Sequence, residues 1–120
     1  MAGLVRALGA DRVLGVDTGA VPDPHSVVAG LVEGLGGTGE ALRIRGDQVG
    51  EGYAVLTPAV REAMELVART EGVVLDPVYT GRAAAGLMAA VAEGTVRPGT
   101  RTVLLHSGGL PGLFGHPAFS

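Results

Sequence analysis

Residues 71–83 read EGVVLDPVYTGRA, and the fold turns on how this stretch is read. The apolar run Val73-Val74-Leu75 predicts a short buried strand. It stops at Asp76-Pro77, because proline cannot donate to a ladder and pushes the residue before it out of the helical region. Tyr79, Thr80 and Gly81 then fall on the turn before an alanine-rich helix. In an open parallel sheet, ligands bind where the carboxyl end of a strand meets the start of a helix. A second turn of this kind, Leu105-His106-Ser107-Gly108-Gly109, follows the predicted last strand, TVLL at 102–105. The rest of the chain is expected to bring the two turns together.

Outward from this stretch, strand and helix alternate. Thr57 caps a predicted helix over Pro58–Arg69, with proline at its first position and Val60, Met64 and Val67 on the buried face. On the other side, Thr80 or Gly81 opens a helix to about Glu93, with Leu87, Met88 and Val91 apolar and Gly94 closing it. Nearer the N-terminus, RVLGV at 12–16 predicts a strand and Asp17-Thr18-Gly19 its turn. A helix from His25 to Leu35 places Val28, Leu31, Val32 and Leu35 on one face, and ALRIR at 41–45 alternates like an edge strand. Met1 to Gly9 reads as the tail of a helix with no start signal, which predicts a truncated N-terminus. The longest irregular piece, 46–57, contains Gly50-Glu51-Gly52-Tyr53, and a tail punctuated by glycine and proline runs from Leu110 to Ser120. Such alternation predicts an α/β chain of parallel βαβ units, part of a doubly wound, mostly parallel sheet.

Composition narrows the function. At 120 residues the chain makes one domain at most, with 47% apolar and only 3% aromatic residues, so alanine, valine and leucine must build its core. A net charge of −3 argues against a basic nucleic-acid surface. The absence of cysteine removes disulfides and thiolate metal sites. No apolar run approaches the ~20 residues that cross a membrane, and no secretory pattern opens the chain, so a cytoplasmic protein is expected. Neither GxGxxG nor GxxxxGK[ST] occurs. All nine basic residues are arginine, and a chain without lysine cannot furnish a Schiff-base amine.

The candidate site residues each have two readings. Tyr53 and Tyr79, the only tyrosines, both lie in glycine-flanked turns. They either pack over the sheet edge or form a pair of phenols around one ligand, one of them moving a proton. Thr80 and Ser107 either cap their turns or offer a hydroxyl to a ring nitrogen or carboxylate. Gly108-Gly109 lets backbone approach a ligand closely. His106 has no acidic partner in sequence, His25 and His116 lack ligand-like spacing to it, and a metal site is not expected. Asp76 reads as the cap of a turn, and Glu51 as a solvated loop residue.

Three stretches in order, VGEGYAVLTPAVREAM at 49–64, EGVVLDPVYTGRA at 71–83 and LLHSGGLPGLFG at 104–115, resemble one family. They are similar to the C-terminal part of the D-cysteine desulfhydrase and 1-aminocyclopropane-1-carboxylate deaminase family, pyridoxal-phosphate enzymes of the tryptophan synthase β-like fold. The likeness runs from about Arg12 to Gly115 and is weakest between Thr18 and Gly39. It implies a three-layer α/β/α large domain, of which 1–120 would be one incomplete, cofactor-binding fragment. Tyr53 would sit over substrate and cofactor ring, and Tyr79 would contact substrate and assist proton transfer. Thr80 and Ser107, with Gly108, would face the cofactor. Thr80 stands where desulfhydrases carry threonine and deaminases glutamate, and Ser107 would lie near the pyridine nitrogen. Arg82 replaces the family's usual lysine, with little loss expected since both are cationic.

The resemblance implies pyridoxal-phosphate-dependent β-elimination or deamination of a small amino acid, with pyruvate, ammonia and sulfide formed from D-cysteine. In the family the Schiff-base lysine, the phosphate-cradling loop and the small mobile domain lie in the N-terminal half. This chain alone is therefore expected to be inactive and to need that half or a partner chain, in what would be a homo-oligomer. The alternative is a non-catalytic α/β module that binds a small anion or serves assembly.

Overall fold

The first strand–helix–strand unit forms as the alternation predicts. In the computed structural model, which describes residues 1–119, helix α1 (Ala2–Leu8) and a 3-10 turn (Ala10–Arg12) lead into strand β1 (Leu14–Val16). Helix α2 (Pro24–Gly34) then carries the chain across to β2 (Arg43–Arg45). The two strands run parallel, with Leu14 opposite Arg43, Gly15 opposite Ile44 and Val16 opposite Arg45. The Asp17 N–H donates to the Arg45 carbonyl at 2.7 Å and carries the ladder one residue further. Helices α3 (Pro58–Glu71), α4 (Thr80–Ala92) and α5 (Leu110–Phe114) and a final 3-10 turn (Pro117–Phe119) complete the described chain.

Helix starts follow from side chains that satisfy otherwise orphaned N–H groups. At α2 the Asp23 carboxylate accepts from the Ser26 N–H at 3.0 Å and the Ser26 hydroxyl at 2.6 Å. At α3 the Thr57 hydroxyl accepts from the Val60 N–H at 3.2 Å, with Pro58 in the first turn. Gly72, in the left-handed region at φ 67°, ends α3.

Two predicted strands are corrected. Among the described residues the sheet has two strands only, and neither 73–75 nor 102–105 joins it. An apolar run reports burial, and burial can come from helices instead of a ladder. Leu75 is buried between α3 and α4 in a core with Val60, Ala63, Met64, Ala84 and Ala85, against which Leu104 and Leu113 pack. Val73, Val74, Val103 and Leu105 stay exposed. The expected broad parallel sheet is thus a small parallel pair among helices. A second core, Ala2, Val5, Val13 and Val32, lies where α1 meets α2.

The buried face of α4 also differs from the expected one. Val91 is exposed and Leu87 and Met88 are half-buried, whereas Gly81, Arg82, Ala84, Ala85, Gly86 and Ala90 are buried. Small residues lie on this face because α3 and β1 approach it closely, Gly81 against α3 and Gly86 against Val16. A Cβ on Gly81 would stand 2.5 Å from the Asp76 carbonyl oxygen and 3.0 Å from both Met64 Cγ and Val60 Cγ1. On α2, only Val32 of the predicted face is fully buried, and Leu31 and Leu35 are exposed.

Candidate functional site

The turn Asp76-Pro77-Val78-Tyr79-Thr80 is built around one carboxylate. Asp76, 1% exposed, accepts from the N–H groups of Val78 (2.9 Å), Tyr79 (2.8 Å) and Thr80 (2.8 Å) and from the Thr80 hydroxyl (2.7 Å). Its own N–H donates to the Thr80 hydroxyl oxygen at 3.0 Å. Burial pushes this carboxyl up, but the hydrogen bonds from Thr80, Tyr79 and Val78 outweigh it and hold the group below the usual carboxylate range. Asp76 therefore caps the turn that leads into α4, as the sequence suggests. Of the two readings of Thr80, the hydrogen bonds found are those of the turn.

The second turn seats on the first. Gly109 lies in the left-handed region at φ 102°, and a Cβ there would overlap the Asp76 carboxylate. The His106 imidazole reaches the Val74 carbonyl at 3.3 Å. The juxtaposition expected of the two turns is thus present, through Gly109 against Asp76. Ser107 and Gly108 face outward on this turn. Among the described residues the Ser107 hydroxyl has no hydrogen-bond partner, and a Cβ on Gly108 would meet open space.

Tyr79 projects from the Asp76 turn and Tyr53 from the 46–57 loop. Their hydroxyls stand 2.6 Å apart, with ring centroids 6.3 Å apart and planes at 64°, an edge-to-face pair. Both rings are about half exposed. The hydrogen bond with Tyr53 is the largest influence on the Tyr79 phenol and pushes its ionisation upward, with desolvation and the Tyr53 and Asp76 charges acting the same way. A phenol shifted upward keeps its proton near neutrality, so Tyr79 is suited to donate or hold a proton there.

Two residues that organise this site were not singled out for it by sequence. Arg82, fully buried on α4, donates from Nη1 to the Thr18 carbonyl and from Nη2 to the carbonyls of Gly52 (2.8 Å) and Val55 (2.9 Å). Desolvation pulls its ionisation down, and the Asp17, Tyr53 and Asp76 charges partly restore it. A lone cation in an alanine–glycine helix face was the available signal. His116, also buried, bonds the Ala54 carbonyl through Nε2 at 2.7 Å while Nδ1 accepts from the Ala118 N–H at 3.2 Å. With Nδ1 accepting, Nε2 carries the proton in the neutral ring. No metal-ligating cluster of three or more side chains occurs among the described residues. Among them too, no helix is long and apolar enough to cross a membrane.

A D-cysteine desulfhydrase of Salmonella paratyphi B is 43% identical over 72 residues, covering 59% of this chain and 22% of that enzyme. The chain therefore matches just over a fifth of its relative's length. The family described as "Pyridoxal-phosphate dependent enzyme" matches residues 1–108. The matched span covers nine-tenths of the sequence, and the chain belongs to the pyridoxal-phosphate-dependent enzymes.

Proposed function

We infer that this chain supplies the substrate-facing wall of an enzyme that eliminates sulfide from a small amino acid of the D-cysteine type. With water, D-cysteine would give pyruvate, ammonia and hydrogen sulfide. The observation that carries this reading is the 2.6 Å contact between the Tyr53 and Tyr79 hydroxyls, contributed by two separate turns. The 43% identity to a D-cysteine desulfhydrase supports the same choice of chemistry.

The residues fit one side of the cofactor. Ser107 offers a free, outward-facing hydroxyl beside an open glycine, chemistry suited to a ring nitrogen. Gly108 leaves room for a ring to approach backbone. Tyr53 and Tyr79 would flank the substrate, and Tyr79 would deliver or hold the proton at the reacting carbon. Thr80 enters through its bonds to Asp76, which set the turn that presents Tyr79. Pyridoxal phosphate, when bound, supplies the electron sink for the amino acid's α-carbon. The amine that anchors it must come from elsewhere, since none of the nine basic residues is lysine. We therefore take residues 1–120 as part of a three-layer large domain that is completed by a lysine-bearing half or partner chain, as a cytoplasmic homo-oligomer, and inactive alone.

The test is a segment exchange. The matching stretch of the Salmonella desulfhydrase is replaced by this chain's residues, and sulfide release from D-cysteine is followed. The exchange should retain activity, and Tyr79→Phe within it should lower kcat by roughly 10²–10⁴-fold, the usual contribution of a general acid–base group. An active exchange indifferent to Tyr79→Phe would refute the assignment.

A second reading is a non-catalytic assembly or small-anion module. It is favoured by one feature, the exposure of Val103, Leu105 and Phe114. An isolated chain that sediments as a compact, soluble monomer would favour such an independent module, whereas aggregation or obligate pairing would favour a fragment.

A further inference from the structure

The 46–57 loop has no helix or strand of its own, and its tyrosine ring is half exposed, so packing alone does not fix Tyr53. Within 50–56 one backbone bond closes the loop on itself, Val55 N–H to the Gly52 carbonyl at 3.3 Å. Ala54 is held in the left-handed region at φ 61°, a conformation that an L side chain resists and that its surroundings must impose. Arg82 Nη2 grips the carbonyls of Gly52 and Val55, which bracket Tyr53, while Nη1 holds Thr18 in the turn after β1. The three pieces are packed together: a Cβ on Gly19 would stand 3.6 Å from both Arg82 Nη1 and Tyr53 Cα. Arg82 follows Tyr79 by three residues at the start of α4. One rigid helical turn therefore supplies Tyr79 and also grips the loop that carries its partner.

We propose that Arg82 is a positioning residue: its guanidinium, through the carbonyls on either side of Tyr53, sets the distance between the two phenols. Burial of an arginine in a helix face of small residues is costly, and here both terminal nitrogens meet fixed carbonyl acceptors while the buried Nε has no hydrogen-bond partner among the described residues. This rests on the tyrosine pair being the substrate-facing site, and it adds the element that holds the pair together before any ligand arrives.

The test needs no ligand. Tyr53 and Tyr79 are the only tyrosines and there is no tryptophan, so the ultraviolet absorbance of tyrosinate reports on this pair alone. In the native chain the two ionisations should be separated, the later one shifted upward by the phenol–phenol contact. Tyr53→Phe gives the position of Tyr79 without its partner. Arg82→Gln should move the later transition down to that position while helical circular dichroism is kept. Arg82→Lys, whose ammonium has three N–H donors for three carbonyls, should restore the native separation. Arg82→Met, which keeps the volume without an unpaired polar group, is the second variant should glutamine not fold. A folded glutamine or methionine variant that titrates like the native chain overturns the proposal. So does a lysine variant that titrates like Tyr53→Phe, or the unfolding of both neutral variants, which would make Arg82 a support of the whole fold. Failure of Tyr79→Phe to slow sulfide release would instead sink the functional reading and leave the tyrosine titrations standing.

Discussion

Asp76 shows how one buried carboxylate can organise a site without entering the chemistry. It satisfies three N–H groups of the turn into α4, which would otherwise be orphaned donors, and leaves Tyr79 facing outward. Asp76→Asn keeps one acceptor oxygen but loses the charge, and should cost about 1–3 kcal/mol in urea unfolding. The pH dependence follows from the sign of its shift. The folded carboxyl is held below its unfolded value, so its stabilisation is present above the unfolded value and is lost as pH falls through the folded one. Unfolding free energy should thus decline on the acid side, and the Asn variant should show a flatter acid limb. At the facing turn Gly109→Ala adds a methyl where the carboxylate already lies, at a φ that alanine resists. It should separate the two turns, and loss of amide-exchange protection at 76–80 would report that. Asp76 was legible in sequence as a cap, because Asp-Pro before a helix has few other uses. Arg82 was not, because its partners are carbonyls 27, 30 and 64 residues away, and main-chain oxygens leave no trace in residue identity.

The helices α3 and α4 are the pair that builds the main core, and their closeness depends on what is missing from α4. Alanine normally favours a helix interior over glycine by about 1 kcal/mol. At Gly81 the opposite should hold, since a methyl would press on the Asp76 carbonyl and the side chains of Val60 and Met64. Gly81→Ala should destabilise by about 1–3 kcal/mol, the cost of overfilling a packed interior, read as a lower urea midpoint with unchanged slope. Thr57→Ala, which removes the α3 cap, should cost about 1 kcal/mol in the same measurement. The starts of both helices were readable from Thr57-Pro58 and Thr80, because caps and proline act locally, whereas α3 runs on past the expected Arg69 to Glu71. The buried face of α4 was misread, because apolar size points to Leu87, Met88 and Val91, whereas the neighbouring helix leaves space only for alanine and glycine.

Over the described residues, exposed apolar side chains are spread from α1 to the C-terminal segment, and the three most exposed large ones lie between 103 and 114. Val103 is 82% exposed, Phe114 76% and Leu105 60%. Surfaces of this kind favour association, so sedimentation velocity should show concentration-dependent self-association of the purified chain, weakened by the paired change Val103→Glu and Leu105→Glu. A strictly monomeric native chain would count against it. By itself, the sequence determined the first parallel unit, the helix caps and the family, since all of these are carried by local patterns and ordered motifs. Only the tertiary structure decided which apolar runs pair, which face of α4 is buried, that the two phenols meet, and that Arg82 binds the loop between them. Pairing and burial depend on neighbours far away along the chain, and a hydrogen bond to a carbonyl is the same whichever residue carries it.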